Sequence, residues 1–238
     1  MKNNLLKSLL VVSAVSIIVG CGGGSSSSVV NEEIVPDESL STLSQELKDS
    51  ITYMYNEEGL AHDVYLDINN ELIAKNDMNV TQLYNIATNS ETKHIQWVDE
   101  LAIKYDLNMT TYDPTLEPYS KEGIGDGNYS VKHIQDLYDL LYAKGIKSKK
   151  DALEVGCMVE VVDVKDLEEY IRLAVESNAT DVLKTFNQLI EGSYVHYWSF
   201  DAALMNMNDP NNPNSGCCSV VDEFGLGLDF CQPNYPKK

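Results

Sequence analysis

Glu91 and His94 stand three residues apart in Ser90-Glu91-Thr92-Lys93-His94, inside a stretch with strong helical periodicity. On a helix that spacing turns both side chains to one face, where a carboxylate and an imidazole can share a cation. Glu58, Glu160, Asp163 and His196 fall at comparable inward positions on three other expected helices. A buried, unpaired carboxylate costs several kcal/mol or takes up a proton, and clustering several raises each one's pKa. Arg172 is the chain's one arginine, and no lysine falls on these inward faces. Two divalent ions would offset the carboxylates Glu58, Glu91, Glu160 and Asp163, and neutral His94 and His196 would complete six ligands. Oxygen and imidazole donors together suit iron first, with manganese or zinc as alternatives.

The elements that must position these residues are helices. Ser41 to about Leu72 carries apolar residues at Leu47, Ile51, Met54, Leu60, Ala61, Val64 and Ile68. Asn79 to about Asp106 carries Leu83, Ile86, Ala87, Ile95, Val98, Leu101 and Ile103, after the short turn Lys75-Asn76-Asp77. Leu107 to Tyr129 is rich in Pro, Gly, Asn and Asp and reads as an excursion over the surface. A short helix follows from Val131 to Ala143, closed by Gly145. Ser148 caps a third long helix from about Lys149 to Glu176, and Thr180 opens a fourth that runs to about Asn206. The fold class is all-α: a four-helix bundle with one long crossover bearing a short extra helix. In this frame Glu58 borders the apolar stripe of the first helix and Glu57, rotated away from it, faces solvent. Tyr65 lies two turns past Glu58, and Ser193 one turn before His196. His62 and His133 are expected at the surface, and Cys157 as a small buried side chain.

The ends of the chain concern address and stapling. Met1 to Lys7 is a short basic start, and Leu9 to Val19 is an apolar run too short to span a bilayer. It closes in Ile18-Val19-Gly20-Cys21, which resembles the lipobox of bacterial lipoproteins. That resemblance implies a signal peptide over residues 1–20, lipidation of Cys21 and a membrane anchor. A flexible Gly/Ser tether follows over residues 21–40. The expected location is the bacterial cell envelope, outside the cytoplasm, and the outer membrane if the host has one. The bundle takes residues 41–208 and leaves 209–238 as a separate tail with Cys217, Cys218 and Cys231. Outside the cytoplasm a bridge from Cys231 to Cys217 or Cys218 is the default, and no Cys-x-x-Cys spacing supports a soft-metal site. A net charge of −20 excludes nucleic acid and anionic surfaces as natural partners.

Glu58-Gly59-Leu60-Ala61-His62-Asp63-Val64-Tyr65 resembles the first-helix motif of rubrerythrin-type proteins, and Glu91 with His94 matches their Glu-x-x-His. A longer run of matches resembles a ferritin-like domain family of bacteria and archaea, a domain-of-unknown-function group. It shows in Glu57-Glu58 with Ala61, in Asp151-Ala152-Leu153 with Val155-Gly156, in Glu160 with Asp163, and in Gly192-Ser193 with His196. The resemblance implies a ferritin-like bundle with a di-metal carboxylate site. It also implies that Asp163 takes up the carboxylate missing at Ser193, where such bundles have a second Glu-x-x-His. Tyr65 and Ser193 would then support the ligands from behind, Tyr65 by hydrogen-bonding a ligand or carrying a radical. The expected activity is redox chemistry with oxygen or peroxide, of ferroxidase or peroxidase type, fed by an unidentified electron donor. The alternative is a non-catalytic envelope protein that sequesters metal or binds a partner, with a weak or vestigial site. A homodimer is compatible with either.

Overall fold

Apolar residues recurring at helical spacing build six α-helices in the computed structural model, which describes residues 40–107, 125–129, 131–207 and 216–237. They are α1 (Gln45–Asn76), α2 (Thr81–Ile86), α3 (Thr92–Lys104), α4 (Lys132–Gly145), α5 (Lys149–Glu176) and α6 (Thr180–Met205). The signal, Cys21 and the tether lie outside the described residues. No described helix is long and apolar enough to cross a membrane. No strand occurs among the described residues.

Local chemistry sets the helix ends. Ser44 Oγ accepts from Leu47 N at 3.1 Å to open α1, and Ser148 Oγ accepts from Asp151 N at 3.1 Å to open α5. Asp77, in the left-handed conformation at φ 52°, ends α1. The buried amide of Asn69 then accepts from Val80 N at 2.7 Å and fixes where the next helix begins.

The second long helix departs from the regular form its periodicity predicts. A π-turn, Ala87–Glu91, interrupts it between α2 and α3, with Thr92 N–H donating to Ala87 O five residues back. One extra residue in a turn rotates everything after it by about 100° relative to what precedes it. Leu83 and Ile86 before the turn and His94 and Val98 after it all end up buried.

α5 and α6 form the most extensive helix pair, and α1 packs on α3, α4 and α5. Gly156 permits a close approach of α5 to α6: a Cβ there would lie 2.5 Å from the Phe200 ring. The apolar interior falls into two clusters. One gathers Leu60, Val64, Ile68, Leu153, Cys157 and Phe200; the other gathers Leu47, Ile51, Met54, Val98, Leu167 and Phe186. Glu57 and Glu58 on α1, Glu91 and His94 around the start of α3, Glu160 and Asp163 on α5, and Ser193 and His196 on α6 lie where the two sets meet, a polar layer across an apolar core.

The crossover is fastened to α1. The buried Asp63 carboxylate accepts from Gly125 N at 2.8 Å and from the Tyr129 hydroxyl at 2.6 Å, and Tyr138 donates to Asp67 at 2.6 Å. The tail, expected as a separate segment, belongs to the same compact unit as the helices. Phe230 and Cys217 are buried, and the Tyr197 hydroxyl donates to Phe230 O at 3.0 Å. Lys144 on α4, buried beside Glu154 (2.7 Å) on α5 and Glu223 (2.6 Å), ties the tail to two helices.

Candidate metal centre

Five of the six expected ligands converge in the polar layer. His94 Nδ1 lies 3.1 Å from Glu58 Oε2 and 2.9 Å from Glu91 Oε2. His196 Nδ1 lies 3.0 Å from Glu91 Oε1 and 3.4 Å from Glu160 Oε2. The result is two triads, Glu58–Glu91–His94 and Glu91–Glu160–His196, with the ligand atoms of each within 4.8 Å of one another. Glu91 belongs to both, one carboxylate oxygen turned to each imidazole. All five side chains are buried, between 2% and 6% exposed.

Glu58 Oε1 has no hydrogen-bond partner. Glu91 Oε1, although 3.0 Å from His196 Nδ1, is out of line for a hydrogen bond. Buried oxygens left without donors carry a desolvation cost that a cation between them would remove. The donor set of carboxylate oxygens and imidazole nitrogens fits iron or manganese.

Electrostatics couple the five side chains. Burial pushes the Glu91 carboxyl up, but the adjacent imidazoles of His196 and His94 outweigh it and hold it well below the usual carboxylate range. Burial drives Glu58 up, opposed by His94, to about 7. Burial would lower His196, yet Glu160 and Glu91 raise it to about 10, and His94 is likewise raised by Glu58 and Glu91. Burial also raises Glu160, against the pull of His196. Both imidazoles thus favour their protonated form beside the three carboxylates.

The outer contacts hold these ligands in place. Tyr65 donates to Glu160 Oε1 at 2.6 Å from two turns along α1 past Glu58. Ser90 Oγ lies 2.8 Å from His196 Nε2 and 3.4 Å from His94 Nε2, joining the far nitrogens of both imidazoles. Such partners fix ring orientation and ligand basicity. In the sequence Ser90 stands out only by its position directly before Glu91. Gly192 is no more conspicuous. A Cβ at Gly192 would fall 2.7 Å from both Cε1 and Nε2 of His94, so a bare backbone is required there. Gly192→Ala should displace the ring and weaken ion binding on the order of 10-fold while helicity is retained, as titration with circular dichroism would show.

Three residues have surroundings that the sequence does not announce. Asp163, expected as the sixth ligand, accepts a hydrogen bond from the Ser193 hydroxyl and joins neither triad. Its shorter side chain is engaged by Ser193 instead, and burial, Glu58 and Glu160 push it well above the usual range. Glu57, expected in solvent, is buried, because α1 is covered by α3, α4 and α5 and has more than one inward face. Cys157, expected as a small buried side chain, is buried and in addition forms a disulfide with Cys217, while Cys218 pairs with Cys231. His62 is only partly exposed and contacts Asp63 at 2.8 Å; His133 is exposed.

On the carboxylate side lies a cavity of about 30 Å³, bounded by Glu57, Glu58, Glu91, Glu160 and Asp163. Its remaining wall is apolar and includes Leu60, Ala61, Leu137, Met158 and Leu226. That volume admits one or two molecules of water's size.

Residues 47–215 match a family described as an uncharacterized protein domain (DUF2202). The chain is also similar to the uncharacterized protein MJ0754 of Methanocaldococcus jannaschii, 30% identical over 171 residues, covering 72% of this chain and 82% of that protein. The crystal structure of the hypothetical protein MJ0754 from Methanococcus jannaschii matches with a TM-score of 0.58 at 32% identity, over 69% of this chain and 83% of that one. The family match contains every residue of both triads and ends before Cys217.

Proposed function

The chain belongs to the DUF2202 family, and from the carboxylate that its two buried triads share we propose that it is a ferritin-like di-metal protein acting in redox chemistry with oxygen or peroxide. The observation that carries this reading is the place of Glu91 in two buried triads. Glu58 and His94 would hold one ion, Glu160 and His196 the other, and Glu91 would span both. Iron is the first candidate for both positions and manganese the second. Bound there, a pair of such ions supplies a redox couple for a small oxidant. The side chains do the rest. Tyr65, Ser90 and Gly192 hold the ligands in one orientation, and the apolar wall of the cavity limits water beside the carboxylates.

A lipid anchor on Cys21, outside the cytoplasm, is part of the same proposal. Two disulfides support an oxidising compartment. A second reading, metal sequestration without turnover, is favoured by Ser193, which leaves α6 without the carboxylate of a second Glu-x-x-His.

Anaerobic loading of the purified protein with ferrous iron, followed by elemental analysis, tests the proposal. Two ions per chain are expected, oxidising faster on adding oxygen or peroxide than free ferrous iron does. Two ions without acceleration would favour sequestration; none would sink both readings. Uptake should release protons, because His196 must lose the proton it holds up to about pH 10 and Glu58 the one it holds up to about 7. Affinity therefore strengthens as pH rises.

A further inference from the structure

The two sides of the centre differ. The carboxylate side holds a small cavity of about 30 Å³ with a largely apolar wall, whereas the imidazole side approaches the surface at a wider groove of about 340 Å³. Asn89, Lys93, Trp97, Gln188 and Glu191 line that groove, with buried His94 behind them. Trp97 follows His94 by three residues on α3, so both rings lie on one face. Their centroids are 5.6 Å apart with planes inclined by 28°. His94 in turn stacks on His196 at 5.5 Å and 26°. A partly exposed indole thus begins a run of three stacked rings that ends at both imidazoles of the centre.

The proposed chemistry consumes electrons that the described chain does not itself supply. All four cysteines among the described residues are paired in disulfides, so no thiol donor stands near the centre. Resting on the di-metal reading, we infer that Trp97 is the electron-entry residue, whose indole couples an external one-electron carrier seated in the groove to His94, the electron tunnelling through the stacked rings while neither ring is itself oxidised or reduced. Each event removes one electron from the carrier and converts one ferric ion to ferrous; no bond forms or breaks, and two events restore both ions. The chain's net charge of −20 favours a small cationic carrier. Trp97 acts through His94 and touches no oxidant, so its role is distinct from that of the ligands.

The chain has two tryptophans, and Trp198→Phe leaves Trp97 as the sole indole. In that background, saturating the protein with cobalt(II) should quench the remaining fluorescence by half or more. The iron-loaded, oxidised protein is then mixed with reduced methyl viologen, and viologen oxidation is followed. Trp97→Leu, which keeps apolar bulk without a ring, should slow it by roughly an order of magnitude. Trp97→Tyr should stay close to the unaltered rate, with cobalt stoichiometry the same in all three. Equal rates for Trp97→Leu and the unaltered protein, or unquenched fluorescence with cobalt bound, would overturn the relay while leaving the centre standing. Absence of cobalt binding to the unaltered protein would overturn the centre, and the relay with it.

Discussion

Glu91→Ala is expected to remove both ions at once, whereas Glu58→Ala and Glu160→Ala should each leave one. The difference follows from sharing. Glu58 serves the His94 triad and Glu160 the His196 triad, but the two oxygens of Glu91 face both imidazoles, at 2.9 and 3.0 Å. Without Glu91 each half keeps one carboxylate and one imidazole, too few to hold a divalent ion against water. Glu91→Gln keeps the shape and serves as the control for packing; it too should lose both ions, since the neutral amide forfeits the charge. Elemental analysis after anaerobic loading distinguishes these cases. Two ions retained by Glu91→Ala would show that the triads are not the binding site.

Removing the Cys157–Cys217 bridge is expected to cost more stability than any single surface change. The bridge closes a loop of 60 residues, which chain-entropy arguments value at about 4 kcal/mol. The Cys218–Cys231 bridge spans 13 residues, and the same argument gives about 3 kcal/mol. Cys157 and Cys217 are fully buried, so paired alanine substitutions avoid placing a hydroxyl in the core. Urea unfolding of the double variants Cys157→Ala/Cys217→Ala and Cys218→Ala/Cys231→Ala would give the two values. A loss below about 1 kcal/mol for the first would mean that Cys157 behaves as an ordinary small core residue. Metal stoichiometry should survive both changes, because neither bridge touches a triad.

The helices were largely legible. Ser148 as a cap and the span Lys149–Glu176 are matched by α5, and the apolar series of the other segments gives α1, α4 and α6 within a few residues. Glu58, Glu91, His94, Glu160 and His196 were legible as inward residues for the same reason: helical period marks a face, and polar residues inside an apolar series stand out. The π-turn was hidden, because Ala87 to Glu91 carries no glycine or proline to announce it.

By itself, then, the sequence determined which segments are helical and which polar residues interrupt their buried faces, since both follow from local spacing. Only the tertiary structure decided how those residues share. Glu91 lies between two imidazoles because the π-turn resets the phase of α3 against its neighbours. Asp163 bonds Ser193 because the pairing of α5 with α6 brings the two side chains together, and Glu57 is buried because several helices cover α1. Cys157 finds Cys217 only once the tail folds back on the bundle. Each of these depends on the distance between segments far apart in the chain, and periodicity along one helix carries no information about that distance.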